Sequence, residues 1–130
     1  MKKTRSAGTR TVRWAGAVML SVVGLSLTAP QAQAAKSDCY AGAFCAYTQD
    51  SFAGTPGKVY ENNTDLTGFN SFAHPKSIYN HGNSCDVTIY TGKGYTGSQM
   101  TIERGDAYTL GSGSTFRLNG IASNKWVNCR

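Results

Sequence analysis

From Ala43 onward apolar residues come in short strand-length runs, AFCAY at Ala43–Tyr47, KVY at Lys58–Tyr60, VTIY at Val87–Tyr90 and QMTI at Gln99–Ile102, with polar residues interleaved in the last three. A period of two turns one face of each run toward a core and the other away, which predicts strands. No stretch after the N-terminal segment keeps a 3.6-residue apolar period, and the chain's 15 glycines suit tight turns. The expected fold class is all-β.

Between two of these runs lies YTGKGYTGS, Tyr90–Ser98, in which Gly92, Gly94 and Gly97 spell GxGxxG. A phosphate-binding loop of that spacing needs a strand before it and a helix after it, because the helix N-terminus supplies the amides that hold the phosphates. Here the segment that follows alternates like a strand, so the stretch predicts a hairpin. A repeat explains the glycines better. Tyr47–Gly54 reads YTQDSFAG and Tyr90–Gly97 reads YTGKGYTG, so both fit Tyr-Thr-x-x-x-aromatic-x-Gly at an offset of 43 residues. The first copy lacks the first two glycines. What recurs is the aromatic pair, Tyr47 with Phe52 and Tyr90 with Tyr95, and the last glycine, Gly54 or Gly97. Each pair is expected to pack across a folded-over turn whose glycine takes a positive φ.

Each copy leads through a turn-rich segment with Phe69 and Phe72, or Phe116, to a closing serine run at Ser77-Ile78-Tyr79 or Ser123-Asn124-Lys125-Trp126. Each half therefore offers about four short strands. Two such units predict two tandem four-stranded Greek-key motifs, at about 37–83 and 84–130, packed as one sandwich.

The N-terminus changes the charge picture. Lys2, Lys3, Arg5, Arg10 and Arg13 precede the apolar run Ala15–Ala29, and Ala32-Gln33-Ala34 follows. That is the pattern of a secretory signal peptide over residues 1–34, leaving a single domain at 35–130, a secreted extracellular product with no membrane attachment after cleavage. Five of the 13 Lys+Arg and none of the seven Asp+Glu lie in the leader, so the remainder carries eight against seven. The basic pI belongs mostly to the leader, and no nucleic-acid partner is expected.

All four cysteines, Cys39, Cys45, Cys85 and Cys129, follow the leader. Export to an oxidising compartment predicts two disulfides, with three possible connectivities. Closeness in sequence favours Cys39 with Cys45, leaving Cys85 with Cys129 to bracket the second half. A zinc site is disfavoured, since no CxxC occurs and the only histidines, His74 and His81, sit before Pro75 and Gly82 as turn residues. No nucleophile motif or cofactor cradle is present, so neither an enzyme nor a cofactor is expected. Asn62-Asn63-Thr64 formally fits a glycosylation acceptor, and its physical content is a polar loop.

The tandem aromatic-x-x-x-x-aromatic-x-Gly fingerprint resembles that of the beta/gamma-crystallin superfamily. With the leader and the four cysteines, the chain is also similar to the small secreted bacterial metalloproteinase inhibitors of that fold, the peptidase inhibitor family I36. The resemblance implies a monomeric secreted inhibitor whose partner is an extracellular zinc metalloprotease, bound through a disulfide-anchored loop. The reactive bond it implies is Cys85-Asp86, in a run Asn83–Val87 expected to be exposed between the two keys. Asp86 departs from the apolar residue that thermolysin-type enzymes prefer after the cut, and Asp86-Val87 is the neighbouring alternative. The superfamily also binds calcium through Asn/Asp-Asn/Asp-x-x-Ser/Thr-Ser, which Asn119 and Ser123 match only in part, Gly120 offering no side-chain oxygen. On that count Ser77 and Ser123 read as buried structural serines. Two other functions are compatible: a crystallin-type structural or calcium-binding module, and a secreted antimicrobial or killer-toxin-like protein.

Overall fold

The computed structural model describes residues 36–130, so the predicted leader lies outside the described residues. Strands β1 (Phe44–Tyr47), β2 (Gly57–Val59) and β3 (Ser77–Asn80) come from the first half. Strands β4 (Asp86–Gly92), β5 (Thr96–Ile102), β6 (Ala107–Thr109) and β7 (Ser123–Val127) come from the second. Two short helices, α1 (Asn70–Ala73) and α2 (Thr115–Asn119), lie in the connections. The fold is all-β.

One sheet runs in the order β2, β1, β3, β6 and the other β5, β4, β7. All the pairings are antiparallel. Strand β6 leaves its own half to pair with β3, setting Ser77 against Thr109 and Tyr79 against Ala107. The first half reciprocates at Asn63, which bridges Asn124 on the outer side of β7 with backbone bonds of 3.0 Å in both directions. Neither half completes its own sheet, so the two fold as one body.

The alternation read from the sequence sets what fills the space between the sheets. Phe44, Ala46, Ile78, Val87, Ile89 and Ile102 turn inward from the strands, and Leu66, Phe72, Phe116 and Ile121 close the ends from the connections. Burying a side chain of this size stabilises by about 1.5–3 kcal/mol. The helices are too short to be stable alone, and each is held by the aromatic it delivers, Phe72 from α1 and Phe116 from α2. The Ser114 side chain caps α2 by accepting from the Arg117 amide at 3.4 Å, and Gly120 ends it at φ 85°. Strand β1 is buried on both faces, because Cys39, Ala43 and Tyr47 form a second cluster with Cys45, against which Phe52 and Tyr79 pack.

The two repeated hairpins have one geometry. Ser51 and Phe52 sit at φ 55° and 61°, Gly94 and Tyr95 both at 65°, and Gly54 and Gly97 both at 84°. Two successive left-handed residues fold the turn over and bring its aromatics together. Tyr47 meets Phe52 and Tyr90 meets Tyr95, each with ring centroids 5.6 Å apart. A buried serine from the last strand of each half then pins the turn. The Ser77 hydroxyl accepts from the Phe52 amide at 3.0 Å and donates to the Gln49 carbonyl at 2.7 Å. The Ser123 hydroxyl accepts from the Tyr95 amide at 2.9 Å and donates to the Gly92 carbonyl at 2.7 Å.

Candidate functional site

The segment His81–Cys85 joins β3 to β4 and thus the two halves, and it is anchored from every side. Its base is Asn80, fully buried, whose amide group donates to the carbonyls of Cys85 at 3.2 Å and Ile102 at 2.9 Å and whose oxygen accepts from the Gly82 amide at 2.8 Å. The His81 backbone exchanges bonds with Ala43 and Gly42, and its ring nitrogen Nδ1 lies 2.6 Å from the Cys39 carbonyl. The Arg104 guanidinium donates to the Asn83 carbonyl at 3.2 Å, and the Arg130 amide donates to the Ser84 carbonyl at 3.1 Å. The disulfide Cys85–Cys129 closes the segment covalently, while Cys39–Cys45 ties the chain before β1 into that strand. Asn83 is exposed, and a shallow pocket of about 260 Å³ opens beside it, lined by Gly42, Tyr60, Gly82, Cys85 and Trp126 among others. Tyr60, in the pocket wall, is 51% exposed, an aromatic in reach of solvent on this side.

The expected reactive run does not stay exposed to its end. Asp86 opens β4, where it pairs with Val127, and Val87 lies between Ile102 and Trp126 on the two neighbouring strands. Val87 is fully buried because the alternation of β4 turns it into the core. Asp86 is 6% exposed, and its carboxylate accepts from the Asn128 side chain at 3.0 Å and the Arg104 amide at 3.0 Å. The Arg130 guanidinium stands 3.8 Å away. The Asn128 bond, the Arg104 amide and the two arginine charges hold the carboxyl below its ordinary pKa, against the opposing effect of burial. A protease cleft needs an extended, accessible stretch on both sides of the bond it attacks. Cys85-Asp86 and Asp86-Val87 lie at and inside a central strand paired on both edges, so the exposed segment ends at Cys85.

The partial calcium candidates are placed apart in role. The Ser123 hydroxyl is engaged by the hairpin on both its donor and acceptor sides, and Asn119 ends α2. Among the described residues no three His, Cys, Asp or Glu side chains gather as a metal would need. Burial raises the Tyr47 phenol to a pKa of about 12, with the charges of Asp38 and Tyr79 adding to it, which marks a fingerprint tyrosine locked in packing. The fingerprint aromatics serve packing across the turns, Tyr47 fully buried and Phe52, Tyr90 and Tyr95 partly so.

Sequence reading missed the residues that hold and flank the loop: Asn80, Arg104 and Arg130 as anchors, Gly42, Tyr60 and Trp126 as pocket lining. Their partners are mostly distant in the chain, and no local period or motif marks them. Asn80 carried the one available signal, a polar residue at the end of an otherwise apolar strand run.

Comparison with known proteins gives fold and family separately. A beta-gamma-crystallin domain of the eye-lens fold superposes with a TM-score of 0.58 at 21% identity, covering 71% of this chain and 92% of its own. IPSE/alpha-1 from Schistosoma mansoni eggs gives 0.56 at 19% identity, covering 67% and 86%. A beta gamma crystallin from Ciona intestinalis gives 0.53 at 16% identity, covering 66% and 100%. At these identities the likeness shows the fold. No curated protein matches the sequence. The model of peptidase inhibitor family I36 matches residues 32–102, more than half of the chain and including β1–β5, both fingerprints and the His81–Cys85 segment. With its beta-gamma-crystallin fold and two disulfides, the chain belongs to peptidase inhibitor family I36, a family of protease inhibitors rather than enzymes.

Proposed function

We propose that the chain is a secreted protein inhibitor of an extracellular zinc metalloprotease, and that it docks at the protease cleft through the anchored segment Gly82–Cys85. The family match is the observation that carries the inhibitor reading. The geometry supports the choice of segment. A loop fixed by a disulfide, two arginines and a buried asparagine meets little ordering cost on binding, and preorganisation of that kind is where a small inhibitor gains affinity. Tyr60 and Trp126, which line the pocket beside the segment, are residue types that anchor interfaces. Blockage here is by occupation of the cleft, because the peptide bond after Cys85 enters the central strand.

The test is titration of the purified secreted protein against a thermolysin-type zinc protease, with a serine protease in parallel and residual activity followed. Stoichiometric loss of the zinc enzyme's activity, weakened by Asn83→Asp or Tyr60→Ala, is the expected outcome. Inhibition confined to the serine protease overturns the metalloprotease assignment, and inhibition of the zinc enzyme insensitive to both substitutions moves the docking site elsewhere.

A further inference from the structure

Strand β5 is an unusual edge. It runs seven residues, Thr96–Ile102, and is exposed along its length except at Met100 and Ile102. Among the described residues it pairs only with β4. The other sheet borders are short or covered: β2 and β6 have three residues each, β2 carries Lys58, and β7 is bridged by Asn63. Proteins usually blunt an exposed edge with charge, proline or brevity. From Thr96 to Ile102 there is no charged residue and no proline.

The ladder fixes which backbone groups of β5 face outward. On β7 the amide of Asn124 bonds Asn63 and that of Trp126 bonds the Asn62 side chain, so both point away from β4. Ser123, Lys125 and Val127 therefore bond toward β4, to their partners Tyr90, Thr88 and Asp86. Val87 and Ile89, of the opposite parity, bond toward β5, to Ile102 and Met100. The amides and carbonyls left facing outward on β5 belong to Gln99 and Thr101, and the Ser98 amide turns inward to the Thr91 hydroxyl at 2.9 Å, as that parity requires.

We propose that this outer edge is the second half of the protease contact, pairing through Gln99 and Thr101 with an extended strand of the peptidase that the Gly82–Cys85 segment docks on; the assignment rests on the inhibitor reading above. A peptidase must hold its substrate backbone extended to reach the scissile amide, so strands bordering its cleft carry donors and acceptors suited to a partner strand, and strand addition to a free edge supplies affinity through main-chain bonds. Continuity points to the same partner. Arg104, just past the end of β5, donates through its guanidinium to the Asn83 carbonyl, so the end of the free edge lies one side chain's reach from the anchored loop. A neutral strand gives no electrostatic selectivity, which leaves recognition to the loop and register to the edge.

The experiment combines amide hydrogen exchange with one edge variant, using the purified secreted protein and a thermolysin-type zinc protease. The Gln99 and Thr101 amides should exchange rapidly in the free protein and become protected in the complex. Gln99→Pro removes an outward N–H while sparing the bonds to β4, a position where an edge strand tolerates proline. It should weaken inhibition by about tenfold with an unchanged melting transition, whereas Gln99→Ala keeps the N–H and should stay within about twofold. Stoichiometric inhibition by the wild type, with both amides unprotected in the complex and Gln99→Pro fully active, overturns the edge contact and leaves the inhibitor reading standing. Protection in the protein alone, accompanied by a dimeric mass, assigns the edge to a second copy and also overturns it. Absence of any complex with the protease overturns both.

Discussion

Replacing Ser123 by alanine tests the claim that one hydroxyl holds the second folded hairpin shut. The side chain is fully buried, and its oxygen serves the Tyr95 amide and the Gly92 carbonyl at 2.9 and 2.7 Å. Alanine removes both bonds and puts nothing in their place. A net bond contributes about 0.5–1.5 kcal/mol, and a buried group left without a partner costs about 1–3 kcal/mol. Gly92 and Tyr95 are only partly buried, so water can reach part of the vacated space and the lower values apply. The expected loss is about 2–3 kcal/mol, or roughly 10–20 °C in melting temperature for a domain of this size. Urea and thermal unfolding followed by circular dichroism would measure it, with an unchanged urea slope showing that the unfolded state is the same. Ser77→Ala removes the matching pair of bonds to Phe52 and Gln49 and should cost a similar amount. The two sites share no partner, so the double variant should lose the sum within about 0.5 kcal/mol. A loss below about 0.5 kcal/mol for either single variant would refute the reasoning, since it would mean the aromatics and glycines hold the turn without the serine.

Two further outcomes follow from the second half. The Asp86 carboxyl has a lowered pKa, chiefly from the Asn128 bond and the Arg104 amide, so its stabilisation is present above the unfolded aspartate value near pH 4 and is lost as pH falls through the folded value; Asp86→Asn should flatten the acid limb of the stability profile, and a limb of unchanged steepness would contradict the clamp. Replacing Cys85 and Cys129 together by alanine opens a bridge spanning 44 residues, which the loop-entropy model values at about 4 kcal/mol, against about 2 kcal/mol for Cys39 and Cys45 at a spacing of six, and equal losses measured by urea unfolding would show that native-state packing rather than chain entropy governs both.

Sequence exposed the hairpins because their requirements are local. A turn with two left-handed residues, a positive-φ glycine and an aromatic pair must be written within eight residues, and Tyr47–Gly54 and Tyr90–Gly97 write it twice. Ser77 and Ser123 read as buried on different grounds, the incomplete oxygen set of the calcium pattern around them, and both are fully buried. The exchange of third strands was not legible, because β6 and Asn63 are a three-residue strand and a single bridge, too short for alternation to register. Asp86 misled for a related reason. As one letter beside a cysteine it reads as an exposed charge next to a reactive bond, while its partners Asn128 and Arg104 stand 42 and 18 residues away.

That misreading bears on how the site is built. Under the docking we propose, the loop has to be exposed where it touches the enzyme and immobile where it joins the body, and the change from one to the other falls between Cys85 and Asp86. On one side Asn83 reaches solvent while its carbonyl is gripped by Arg104. On the other, Asp86 uses its charge to draw in the Arg104 amide and Asn128, with Arg130 nearby, from the end of β5 and from the C-terminus that carries Cys129. The disulfide and the carboxylate thus fasten the C-terminal residues to β4 side by side, one covalently and one by charge. An apolar residue at Asp86 would leave the bridge without its charged companion and deprive the Asn128 side chain of its carboxylate partner. The aspartate therefore belongs to the scaffold that stiffens the segment, and under the docking we propose, specificity toward a protease comes from the residues that precede it.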